Sequence, residues 1–192
     1  MSTALRQECK VYYEILDGQP VAMASASTNH AIVVENIRDV FRGYLKGKFC
    51  RMFSELDVIL SDKDTFIPDV MVVCRRDIIK ANGIYGAPDL IVEVLSPSTI
   101  RYDRGYKMKT YAKNGVKELW LVDPESRAIE VYLLDNGVYE LNNAYPLYPD
   151  WMIEGMTEEE KAKIAHEFTP SIFDDLIIQV EDVFEGLLGD FS

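Results

Sequence analysis

Apolar and polar positions alternate along the chain with two different periods, and the places where the period changes mark out short elements. Residues 11–16 (VYYEIL) read as a strand closed by the turn at Asp17-Gly18. Thr28 and Asn29 suit a helix N-cap, and Val33, Ile37, Val40, Phe41 and Tyr44 then recur at helical spacing, predicting a helix to about Leu45 with Arg38, Arg42 and Lys46 on its polar side. Residues 52–60 and 66–74 predict two strands, the second interrupted near its start by Pro68. Residues 90–95 (LIVEVL) are an almost unbroken apolar run between Pro88-Asp89 and Ser96-Pro97, the pattern of a central strand covered on both faces. A helix is expected over 103–113, stopped by Asn114-Gly115. Strands follow over 118–122 and 128–134, the latter turning at Asp135-Asn136-Gly137 into 138–141. Thr157 and Glu160 form a capping box for a short helix to about His166, and a strand near 176–180 and a helix near 182–188 end the pattern. This order predicts an α/β fold, a mixed sheet flanked by helices, and excludes a TIM barrel or an all-β sandwich.

Composition fits one core. With 192 residues, 48% hydrophobic and 11% aromatic, the expectation is a single domain over residues 1–192. No stretch resembles a membrane span or a secretory leader, so no membrane association and a cytoplasmic location are expected. Cys9, Cys50 and Cys74 are odd in number and widely spaced, and read as small reduced thiols. Only His30 and His166 could supply imidazole, which leaves oxygen as the natural ligand for any metal.

The formal net charge of −12 argues against nucleic acid until its distribution is considered. From Asp150 onward there are twelve acidic and two basic side chains, so most of the excess belongs to an acidic C-terminal region. Basic residues gather at Arg38, Arg42, Lys46, Lys48 and Arg51, and again at Arg101, Arg104, Lys107, Lys109, Lys113 and Lys117. Each set reads equally as a phosphate-facing surface or as a solvated helix face.

Two acids stand out. Glu93 interrupts the most apolar strand, where an ionised carboxylate costs several kcal/mol unless a cation compensates it. Asp69 follows Pro68 at the start of a neighbouring strand. Two carboxylates converging from adjacent strands make a hard site suited to Mg²⁺; a buried ion pair without chemistry is the competing reading.

The segments Pro68-Asp69-Val70 and Val92-Glu93-Val94 resemble the PD-(D/E)xK nuclease signature. More narrowly, PDLIVEVLSPST from Pro88, YDRGYKMKTYAKNGVKELWLVDP from Tyr102 and FTPSIFDDLIIQVEDVF from Phe168 resemble the Uma-type restriction endonuclease family, from Tyr13 to about Leu188. That resemblance implies a restriction-endonuclease-like fold and metal-dependent hydrolysis of phosphodiester bonds in DNA. In the superfamily pattern a Lys stands two residues after the second acid; here Leu95 occupies that place, and the resemblance supplies the cation from the next helix as Lys107. The implied roles are Asp69 and Glu93 as ligands of Mg²⁺ (or Mn²⁺), with a backbone carbonyl such as that of Val94, and Lys107 as the catalytic cation. The three groups are expected to share an open, water-accessible site. His30 could contact phosphate or a carboxylate, or simply cap its helix; Glu35 could be a third acid or a surface residue. Asp103 reads as an N-cap before it reads as a ligand, and Tyr102 and Arg104 could touch DNA. A homodimer is expected, because a duplex has two strands to cut. A silent DNA-binding or assembly protein and an RNA-directed or repair nuclease are the other readings.

Overall fold

The computed structural model describes residues 12–23 and 25–189. Val11, Cys9 and the last three residues lie outside them, so the expected first strand is seen from Tyr13 onward. In chain order the strands that matter here are β1 (Tyr13–Leu16), β2 (Gln19–Ala22), β3 (Arg51–Phe53), β4 (Val58–Ser61), β5 (Asp64–Phe66), β6 (Val70–Val73), β7 (Ile79–Lys80), β8 (Gly83–Tyr85), β9 (Leu90–Val94), β10 (Glu118–Asp123), β11 (Ala128–Asp135) and β12 (Val138–Pro146). They form two six-stranded sheets, ordered β2-β1-β5-β4-β8-β7 and β12-β11-β10-β9-β6-β3. The expected mixed sheet flanked by helices is the second of these: β9 runs parallel to β10 and antiparallel to β6.

The first sheet was not legible as such, and it explains why two expected strands are each two. The run 52–60 breaks at Glu55, whose φ of 51° turns the chain from β3 in one sheet to β4 in the other. The run 66–74 breaks at Ile67-Pro68-Asp69, where the chain crosses back from β5 to β6. The crossings lie side by side, with Glu55 N–H donating to the Pro68 carbonyl at 3.2 Å.

Helix α1 (Thr28–Leu45) is capped one residue earlier than expected: Ser27, not Thr28 or Asn29, accepts the His30 N–H. Its buried Val33, Ile37, Phe41 and Leu45 recur every four residues and pack on one face of the second sheet with Val70, Val72, Val92 and Trp120. The opposite face, carrying Met71, Ile91, Leu119 and Leu121, packs against the first sheet and a second helical segment. Strand β9 is thus covered on both sides, as its apolar run demands.

That helical segment is α2 (Ile100–Tyr102), a π turn over Asp103–Lys107, and α3 (Met108–Asn114), ended by Gly115 at φ 87°. It starts three residues before the expected helix and is not a uniform α-helix. The hairpin at Asn136 and Gly137 has positive φ at both positions, as its sequence requires, although β12 runs well beyond the expected 138–141. The Thr157/Glu160 capping box is present on a shorter helix, α4 (Glu158–Lys161). Cys50 and Cys74 correct the reading of free thiols: they are joined by a disulfide. The pair lies one step past Arg51 and Val73 in the β3–β6 ladder, and this facing position, not their 24-residue spacing, brings them together.

Candidate active site

The β6–β9 register sets Val70 opposite Val92, so Asp69 and Glu93 are the next opposed positions at the end of that ladder. Glu93 takes the side of its strand that carries Ile91 and faces the second helical segment, while Asp69, just before β6, reaches toward the start of α1. The Asp69 carboxylate closes the ladder by accepting the Val94 N–H at 2.7 Å.

From the π turn, Lys107 brings its ammonium to 2.8 Å from Glu93 Oε1. The same ammonium lies 3.3 Å from Asp103 Oδ1 and 3.1 Å from Glu14 Oε1. The π turn matters because Asp103 and Lys107 are both buried, and such turns recur at functional sites. Tyr111, fully buried on α3, donates to Glu93 Oε1 at 2.5 Å and meets the Phe66 ring edge to face. The imidazole of His30, at the start of α1, lies 3.3 Å from Asp69 Oδ2 and also hydrogen-bonds the Val94 backbone.

The electrostatics follow from this crowding. Burial pushes the Glu93 carboxyl well above the usual carboxylate range; Lys107 pulls against that shift, and Asp103, Asp69 and Glu14 add to it. Burial likewise raises Asp103, again opposed by Lys107. For Lys107 the carboxylates of Glu93, Glu14 and Asp103 outweigh the loss of water, and the ammonium is held firmly protonated. His30 is raised because Asp69 and the Val94 backbone overcome the effect of burial. Four acids, Glu14, Asp69, Glu93 and Asp103, therefore gather around one ammonium and one imidazole. An oxygen-rich cluster of this kind, with more acids than cations, suits a divalent hard cation. Among the described residues, however, no three His, Cys, Asp or Glu side chains are already grouped tightly enough to cage one.

Asp69, Glu93, Val94, Lys107 and His30 are thus brought to one place. Exposure corrects the expectation of an open site: the side chains of Asp69 and His30 are 18% and 14% exposed, whereas those of Glu93 and Lys107 are 4% and 5%. Glu35 is elsewhere, on the outer face of α1, paired with Arg38 at 2.5 Å. Asp103 is no N-cap; it is a buried partner of Lys107. Arg104 is engaged in a two-pronged pair with Glu130, at 2.6 and 3.0 Å, and Tyr102 is exposed on the surface. Of the basic surface, Arg42 pairs with Asp39 and Lys117 with Asp89, which leaves Arg101, Lys109 and Lys113 as exposed positive groups on the second helical segment.

Sequence reasoning passed over Glu14 and Tyr111. For Glu14 a signal existed: in β1 the inward positions are Glu14 and Leu16, so an acid stands where an apolar residue is due. Tyr111 carried none, since a buried aromatic on a helix reads as core.

No helix among the described residues is long and apolar enough to cross a membrane. The chain is 37% identical over 123 residues to an uncharacterized protein of Synechocystis sp., a match covering 62% of this chain and 65% of that protein's length. It also resembles the crystal structure of "a putative nuclease belonging to DUF820 from Anabaena variabilis", with a TM-score of 0.68 over 90% of this chain and 89% of that one. At 22% identity that likeness is one of fold. The profile of Uma2, described as "Putative restriction endonuclease", matches residues 3–159, and the chain belongs to that family.

Proposed function

We propose that this protein is a metal-dependent endonuclease acting on DNA, with its reacting centre at Asp69, Glu93 and Lys107. The observation that carries the reading is that two strand-end acids stand at opposed positions, one of them, Glu93, 2.8 Å from a helix-borne ammonium, in a cluster whose acids outnumber its cations. Family membership supports the reaction class, hydrolysis of a phosphodiester bond.

Asp69 and Glu93 would hold Mg²⁺ or Mn²⁺, together with the Val94 carbonyl. Such a cation lowers the pKa of a coordinated water and neutralises phosphate charge. Glu93 is held in place by Lys107 and Tyr111, and Asp69 by the Val94 N–H and His30, so both acids are oriented before any ligand arrives. Lys107 supplies fixed positive charge where negative charge develops on phosphate oxygens. Asp69 and His30 form the side of the site nearest to solvent, and Arg101, Lys109 and Lys113 offer phosphate contacts on the neighbouring helical surface. A homodimer would place two such centres on the two strands of a duplex.

The near-complete burial of Glu93 and Lys107 favours a second reading, a nuclease fold that retains the buried charges as structure. Titration with Mn²⁺, followed by calorimetry and by the metal's paramagnetic resonance, separates the two. A site present in the wild type and lost in Asp69→Asn supports the nuclease reading; equal binding by both proteins, or by neither, contradicts it.

A further inference from the structure

Glu14 belongs to the first sheet, while Glu93 belongs to a strand of the second and Asp69 immediately precedes one. A single oxygen of its carboxylate, Oε1, accepts the Ile67 N–H at 2.8 Å and lies 3.1 Å from the Lys107 ammonium. Ile67 opens the three-residue crossing that ends at Asp69. One buried atom therefore joins the segment that delivers the first acid to the cation opposite the second.

The arrangement is costly unless it does something. Two carboxylates, Glu93 and Asp103, already face one ammonium, and burial raises both above their ordinary range, so a further acid adds repulsion that an apolar residue would not. An apolar side chain would be the cheaper occupant of this inward position in β1, next to buried Leu16. What Glu14 adds is a further pull on the ammonium, one that comes from the first sheet. With Glu93 and Asp103 alone, Lys107 has no anchor in the first sheet; with Glu14 it is held between β1 and β9.

We infer that Glu14 is a positioning residue: its carboxylate sets the place of the Lys107 ammonium relative to Glu93 and ties that place to the Ile67-Pro68-Asp69 crossing. Its consequence for catalysis rests on the nuclease reading above; its effect on Lys107 does not. Because Glu14 acts through Lys107, its loss should lower kcat and leave KM nearly unchanged.

Glu14→Gln tests this, because the amide keeps the size and an acceptor oxygen for the Ile67 N–H but removes the charge. The Lys107 ammonium is followed by ¹⁵N NMR of the lysine side chains, assigned with Lys107→Arg. The expected result is a Lys107 signal that shifts and exchanges faster with water in Glu14→Gln, and that returns toward its wild-type position in Glu14→Asp. In parallel, plasmid cleavage with Mg²⁺ should show kcat about 10- to 100-fold lower in Glu14→Gln, the range seen when a group orienting a reactive one is removed, at similar KM. A Lys107 signal unmoved by the substitution overturns the inference, whatever the cleavage assay reads. A moved signal in a protein whose wild type cleaves nothing supports it and counts against the nuclease reading instead. Cleavage at the wild-type rate by a Glu14→Gln protein with a displaced Lys107 signal removes the catalytic consequence.

Discussion

Lys107 and Tyr111, one turn apart along the same helical segment, donate to the same oxygen, Glu93 Oε1, at 2.8 and 2.5 Å. A buried carboxylate on a central strand is thus held by a charged and a neutral donor that arrive together, and the two contributions can be separated by substitution.

Tyr111→Phe removes one hydroxyl and leaves the ring packed on Phe66. A hydrogen bond to a charged group contributes about 1.5–3 kcal/mol, so urea unfolding should show a loss in that range. Aromatic packing is unaltered, and a near-zero change would mean that Glu93 does not depend on the phenol.

Lys107→Ala should be more severe. It strands Glu14, Glu93 and Asp103 together without their common cation. Breaking a buried ion pair from one side costs about 3–5 kcal/mol. Denaturant unfolding at neutral pH checks this, and the deficit should shrink in acid as the stranded acids take up protons.

The Arg104–Glu130 pair gives a pH dependence of the opposite kind from a buried acid. Burial alone would raise Glu130, but the two hydrogen bonds from Arg104 and one from Tyr132 hold it below its ordinary 4.5. A depressed carboxyl stabilises the fold above its unfolded pKa, and that contribution disappears as pH falls through the folded value. Since Arg104 is 38% exposed, the difference between wild type and Glu130→Gln should be no more than about 1 kcal/mol at pH 7 and shrink as the pH is lowered below 4.5. Urea curves across that range decide it.

Removing the Cys50–Cys74 bridge tests the disulfide independently of the site. Closing a loop of this 24-residue separation contributes about 3–4 kcal/mol in the chain-entropy description. Thermal melts with and without a dithiol reductant should differ for the wild type and coincide for the Cys50→Ser, Cys74→Ser double variant.

How much of this was legible depends on whether the signal was local. The central strand β9, the α1 face and the Gly115 stop each follow from a period or a cap, and were read as they stand. The first sheet was missed because its strands are two to four residues long, too short for alternation to declare itself. The crossings at Glu55 and at Pro68 hide inside apolar runs that look continuous, since both ends enter buried cores. Asp69, Glu93 and Lys107 stand out as chemically out of place or through the family resemblance. Glu14 stood as an acid at an inward position of β1, but its link to Lys107, like the bond between Cys50 and Cys74, depends on pairings across sheet and ladder that spacing cannot display, and Asp103 looked like a cap because a π turn is indistinguishable from an α turn in sequence.

The central claim is that Asp69, Glu93 and Lys107 act together on a phosphodiester bond. Conversion of supercoiled plasmid to nicked or linear DNA with Mg²⁺ or Mn²⁺ addresses it directly, run on folded wild type, Asp69→Asn and Lys107→Arg. Cleavage by the wild type, abolished by chelator and reduced at least about 100-fold in each variant, is the predicted result. Equal cleavage by all three proteins, or none by a folded, metal-supplied wild type, would contradict it.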